Sequence, residues 1–116
     1  MLKIYMATLQ STIDFITSQI DNAGIITSRK MFGEYALYCD GKIFALVCDD
    51  ALFLKPTKEA KDFFPEAHDA PPYPGAKMYM LIPEEKWEDR EFMSQIVTIS
   101  YNALPASKVK KVKIKR

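Results

Sequence analysis

Apolar residues recur at Leu9, Ile13, Ile16 and Ile20, a spacing of four, three and four that lays one stripe along an amphipathic helix. Thr8 is the expected N-cap of this helix, and Gly24 follows its last turn. Beyond it the period changes. Apolar runs over 26–32, 34–39, 42–48 and 51–55 are separated by Gly33, Asp40-Gly41 and Asp49-Asp50. These predict four strands joined so tightly that neighbours must be antiparallel. Asp40-Gly41 is the strongest of the turn signals, because a type I′ hairpin turn needs positive φ at both central residues.

A two-residue turn there places Cys39 opposite Lys42 and Cys48 opposite Gly33. Tyr35, Leu37, Cys39, Phe44, Leu46 and Cys48 then share one face, and Ala36, Tyr38, Ile43, Ala45 and Val47 the other. Both faces are apolar, whereas a two-layer domain covers only one with helices. The second face is therefore expected to lie under a terminal extension or against a second copy of the chain, with a homodimer favoured.

Thr57 is placed to cap a short helix running to Phe64, which Pro65 closes. Between Glu66 and Ala76 the residues Pro71, Pro72, Pro74 and Gly75 predict a stiff loop without regular structure. Residues 77–82 supply a fifth strand. Pro83 with Glu84, Glu85, Glu88 and Asp89 opens the last helix, acids at its start complementing the helix dipole. Its apolar stripe (Phe92, Met93, Ile96, Val97, Ile99, Ala103, Leu104) runs to a stop at Pro105. The expected order is α-β-β-β-β-α-β-α. This is an α+β two-layer sandwich with an antiparallel sheet of about five strands, spanning 8–105 between an extension (1–7) and a tail (106–116).

At 116 residues the chain fits one domain with a single core. It holds no apolar run near the roughly 20 residues that cross a bilayer and no secretory signal, so a cytoplasmic protein without membrane partners is expected. Charge divides it sharply: up to Pro105 ten cations face fifteen acids, a net of −5, whereas Lys108, Lys110, Lys111, Lys113, Lys115 and Arg116 make the tail +6. Such a tail, expected to be disordered when free, suits nucleic acid or an acidic protein surface, its own acidic body included.

Cys39 and Cys48 fall about six residues apart along the expected ladder, roughly 20 Å, too far for a disulfide. The single histidine, His68, completes no metal set and activates no thiolate. Asp49-Asp50 reads as a turn and the paired acids at 84–89 as a helix start, not as converging catalytic carboxylates. Trp87 beside Arg90 is expected to make a cation–π contact or to anchor the helix start against the proline loop, with a binding hot spot as the alternative. No cofactor, metal or catalytic residue is assigned, and a non-enzymatic module is expected. One candidate binding site remains: Arg29, Lys55 and Lys77 with Tyr73 on the proline loop, a set suited to an anion or a carboxylate on a partner.

The blocks Ser28-Arg29-Lys30-Met31-Phe32-Gly33-Glu34-Tyr35, Tyr38-Cys39-Asp40-Gly41-Lys42, Ala45-Leu46-Val47-Cys48-Asp49-Asp50, Leu54-Lys55-Pro56-Thr57 and Pro71-Pro72-Tyr73-Pro74-Gly75-Ala76-Lys77 together resemble the N-terminal domain of the TfoX/Sxy competence regulators, over about residues 8–105. The resemblance implies an α+β fold with an antiparallel sheet and a link to DNA-uptake competence, full-length members acting as transcriptional coactivators beside a cyclic-AMP-responsive regulator. Those members carry a further helical domain, where this chain continues with the basic tail. The family brings no catalytic residues. The reading is a regulatory or adaptor module working through protein contacts; a nucleic-acid-associated factor using the tail is the alternative, and a small anionic ligand binder the third.

Overall fold

The computed structural model describes residues 8–31 and 34–105. The expectations for the extension at 1–7, the tail at 106–116 and the Phe32-Gly33 junction lie outside the described residues. Helix α1 (Gln10–Gln19) is followed by strands β1 (Ile26–Met31), β2 (Glu34–Cys39), β3 (Lys42–Cys48) and β4 (Ala51–Leu54), then by helix α2 (Lys58–Phe63). Strands β5 (His68–Ala70) and β6 (Tyr79–Ile82), a 3₁₀ turn (Glu84–Lys86) and helix α3 (Arg90–Ala103) complete the described residues. All strands form one antiparallel sheet in the order β1-β2-β3-β4-β6-β5, and the fold is α+β as the pattern predicts.

The turn chemistry sets the meander. Asp40 (φ 49°) and Gly41 (φ 82°) form the β2–β3 turn with positive φ at both positions, and Asp49 (φ 54°) and Asp50 (φ 59°) do the same between β3 and β4. Cys39 stands opposite Lys42 as the turn requires, but the pairing shifts between Leu37 and Tyr38, so that Leu37 meets Ala45 and Tyr35 meets Val47. This β-bulge corrects the face assignment. Phe44 is the extra residue, and it reaches the helix side together with Ala45 and Val47. Leu46 and Cys48 belong instead to the opposite face, outside the helix-side core.

The sheet has six strands, one more than expected. His68–Ala70, placed in the irregular stretch by its neighbouring prolines, pairs with Leu81, Met80 and Tyr79 as an edge strand. Pro65 lies before the strand and Pro71, Pro72 and Pro74 after it, which is why they do not prevent the ladder. The last helix also starts later: Glu84–Lys86 forms a separate 3₁₀ turn, and Asp89 caps α3 by accepting the Phe92 N–H at 3.1 Å.

Helices α1, α2 and α3 pack on one face of the sheet. Ile13, Ile16 and Ile20 of α1 and Met93, Ile96 and Val97 of α3 close over Leu37, Phe44, Val47, Leu54, Met80 and Ile82. Trp87 is buried here as well, its indole N–H donating to the Ile82 carbonyl at 3.1 Å. Arg90 makes no stacking contact with it. The guanidinium reaches back to the Ser18 carbonyl at 2.7 Å and the Asp21 carboxylate at 3.2 Å, closing the end of α1.

Thr8 is not the N-cap of α1. Leu9 takes that position without a side-chain bond. Thr8 is buried instead, donating its hydroxyl to Glu34 at 2.7 Å and accepting the Asp50 N–H at 3.2 Å. The cap arrives from the β3–β4 turn: Asp50 Oδ1 accepts the Leu9 N–H and the Thr12 hydroxyl, each at 2.9 Å.

Candidate functional site

The second face of the sheet begins with a row read directly from the strand register. Arg29 of β1 stands opposite Ala36, Ala36 opposite Leu46, Leu46 opposite Phe53, Phe53 opposite Leu81, and Leu81 opposite His68. Four apolar residues thus cross the middle of the sheet between two polar ends. Ala36, Cys48 and Phe53 are buried, yet none belongs to the helix-side core.

Beside this row lies a hollow of about 490 Å³ lined by Met31, Glu34, Tyr35, Leu46, Cys48 and Tyr73. The strands place it. Met31 ends the outer strand, Leu46 and Cys48 alternate along β3, and the loop between β5 and β6 brings in Tyr73. The rim is exposed: Tyr73 keeps 56% of its surface in solvent and Met31 41%.

The electrostatics of the hollow are quiet. Glu34 is the one carboxylate in its lining, and its Oε1 is committed, accepting the Thr8 hydroxyl and the Asp49 N–H at 3.0 Å. Burial pushes the Cys48 thiol up to about 11, with Glu34 and Asp49 adding to the shift, so the sulfur stays a neutral thiol and not a nucleophile. Burial also raises the Tyr79 phenol, helped by Tyr73 and Cys48. Neither cysteine is in a disulfide, and Cys39 lies across the sheet in the helix-side core. A cavity of this size and chemistry takes apolar atoms, and offers few polar groups to orient a charged ligand.

Of the four residues expected to form an anion site, Tyr73 lines this hollow. Arg29 lines a separate, shallow one with Thr27, Ser28, Tyr38 and Gly41. Lys55 directly follows β4 and Lys77 precedes β6, so these two flank neighbouring strands. Arg29 sits on β1, three strand spacings from β4 or roughly 14 Å. The fold therefore brings Lys55 and Lys77 to one part of the sheet and leaves Arg29 apart. The six tail cations lie outside the described residues.

Sequence reasoning overlooked Met31, Leu46 and Cys48 as neighbours of Tyr73. The bulge at Phe44 moves Leu46 and Cys48 to this face, and no local signal marks a bulge in a run of apolar residues.

A helix-backed antiparallel sheet with an apolar second face defines the class: a small α+β domain. The family model for the TfoX N-terminal domain matches residues 18–104. The chain is 36% identical over 110 residues to an uncharacterised 12.7 kDa protein in the trpE 5′ region of Spirochaeta aurantia, covering 95% of each chain. The chain belongs to the TfoX N-terminal domain family, which is linked to competence regulation.

Proposed function

We propose that this protein is a non-enzymatic regulatory or adaptor module acting through protein contacts, in the manner of a transcriptional coactivator linked to DNA-uptake competence. The observation that supports it is the hollow on the second sheet face. Among the described residues its lining holds no nucleophile and base in hydrogen-bond reach, its thiol is held neutral, and the Glu34 carboxylate is already engaged. Such a surface gains free energy by excluding water from apolar groups, at about 25 cal/mol for each Å² buried, and that is how protein partners are held.

Affinity capture from the native cell tests the reading, using the full chain, a chain lacking 106–116, and a Tyr73→Asp variant. The expected result is a specific protein retained by the first two and lost with Tyr73→Asp, whose exposed position leaves the fold intact. Nucleic acid retained by the full chain and lost with the tail points to the alternative. If all six tail cations neutralise phosphates, the log–log salt slope on duplex DNA is about −5.

A further inference from the structure

The acids of the folded body are unevenly engaged. Asp21 pairs with Arg90, Asp62 with Lys58 and Asp69 with Lys61. Glu34, Asp40, Asp50 and Asp89 accept backbone N–H groups. Among the described residues, the carboxylates of Asp49, Glu59, Glu66, Glu84, Glu85, Glu88 and Glu91 have neither an ion pair nor a hydrogen bond. Glu84 and Glu88 border a groove of about 310 Å³ whose other walls are Ser11, Thr12, Phe15 and Trp87. Phe15 sits on the outer side of α1 with 42% of its surface exposed. An aromatic wall beside two unneutralised carboxylates suits a cationic segment that carries an aliphatic side chain between its charges.

The chain contains such a segment. Residues 108–116 read Lys-Val-Lys-Lys-Val-Lys-Ile-Lys-Arg, a charge of +6 against −5 on the body. We propose that the end of this tail docks in the groove of its own chain, Ile114 against Phe15 and the cations Lys113 and Lys115 against Glu84 and Glu88. Reach favours the same molecule. Leu104, at the C-terminal end of α3, is held by Lys42, whereas Trp87 immediately precedes the N-terminal end of that helix. The 14 residues of α3 span about 21 Å. Eleven further residues reach at most roughly 36 Å when extended, more than the length of the helix, so the end of the tail can reach the groove. Tethering also makes the encounter intramolecular, with an effective concentration in the millimolar range. In a strand-like segment alternate side chains oppose one another, which directs Ile114 to the aromatic wall while its neighbours meet the acidic rim.

Zero-length carbodiimide coupling of the full chain tests this, with the monomer separated from cross-linked dimer and the new amide bonds located by mass spectrometry. The expected result is coupling of Lys113 or Lys115 to Glu84 or Glu88 within the monomer, falling about fivefold as salt rises from about 20 mM to about 500 mM. Phe15→Ser should lower the same couplings severalfold without lowering the coupling of tail lysines to other acids; Phe15 is on the surface, where substitution leaves folding intact. Tail lysines coupled evenly to acids over the whole body, coupled to Glu84 and Glu88 only in the dimer fraction, or not coupled at all overturn the proposal.

Discussion

Lys42 Nζ donates to the Leu104 carbonyl at 2.7 Å, joining the first residue of β3 to the end of α3 across 62 positions of sequence. The same ammonium donates to the Tyr101 carbonyl at 2.7 Å and lies 4.1 Å from the centre of the Tyr101 ring. A cation at the C-terminal end of a helix satisfies carbonyls that have no partner within the helix and opposes its dipole. Lys42→Met keeps the apolar stem and removes only the charge and the donors. It should cost about 1–2 kcal/mol, read as a melting temperature lower by roughly 4–15 °C.

Asp50 does the converse at the start of α1. Asp50→Ala removes the acceptor for Leu9 N–H and Thr12 Oγ1 and places alanine at φ 59°, and should cost about 1–3 kcal/mol. Asp50→Asn keeps an acceptor and tolerates this backbone, so denaturant unfolding should find it within about 1 kcal/mol of the parent.

At Gly24 a Cβ would fall 2.7 Å from Cys39 Sγ and 3.2 Å from an Asp40 carboxylate oxygen. Asp40 is held in place by the Ile25 N–H at 2.9 Å, so neither neighbour yields freely. Gly24→Ala should destabilise by about 1–3 kcal/mol. The double variant Gly24→Ala, Cys39→Ala should recover part of that loss, a non-additivity that equilibrium unfolding can measure.

Ser100 is fully buried in α3 and its hydroxyl has no hydrogen-bond partner. Replacing it by alanine removes an unsatisfied polar atom and improves helix propensity, for a gain of about 0.5–1.5 kcal/mol in thermal or chemical unfolding.

The Cys48 thiol titrates near 11 in the folded protein and near 9.0 when unfolded. Between those values the unfolded chain has released a proton that the folded one retains, so stability falls as pH rises from about 9 toward 11 and is unaffected below that window. Cys48→Ala should flatten the alkaline side of a stability profile. Alkylation of the native protein at neutral pH should be slow at Cys48, since the thiolate is the reacting form.

Local chemistry carried most of the fold. The Asp40-Gly41 turn, the stripe Ile13, Ile16, Ile20 and the Thr57 cap, which accepts the Ala60 N–H at 3.0 Å, each depend on residues a few positions apart. What escaped depends on distant ones. Thr8 has the chemistry of a cap, but the competing partners Glu34 and Asp50 come from β2 and from the β3–β4 turn. His68–Ala70 carries no β pattern of its own and is a strand because β6 offers it an edge. The hollow behind Tyr73 follows from a bulge that reverses which β3 residues face it, a consequence of pairing and not of composition. The charges at Arg29, Lys55 and Lys77 were plain in the sequence; their separation needed the strand order.

Two turns of the meander each carry or adjoin a charged residue that holds a helix end, Asp50 within one for α1 and Lys42 just after the other for α3. Hairpin tips are ordinarily where a domain absorbs added residues, but here one inserted residue would withdraw a helix clamp as well as lengthen a turn. Room for insertion lies elsewhere. Gly75, in the loop between β5 and β6, has nothing within 4 Å of where a side chain would begin. Length variation, a peptide tag or a new chain terminus is therefore accommodated at that loop, and the two short turns are fixed in length by the helices they hold.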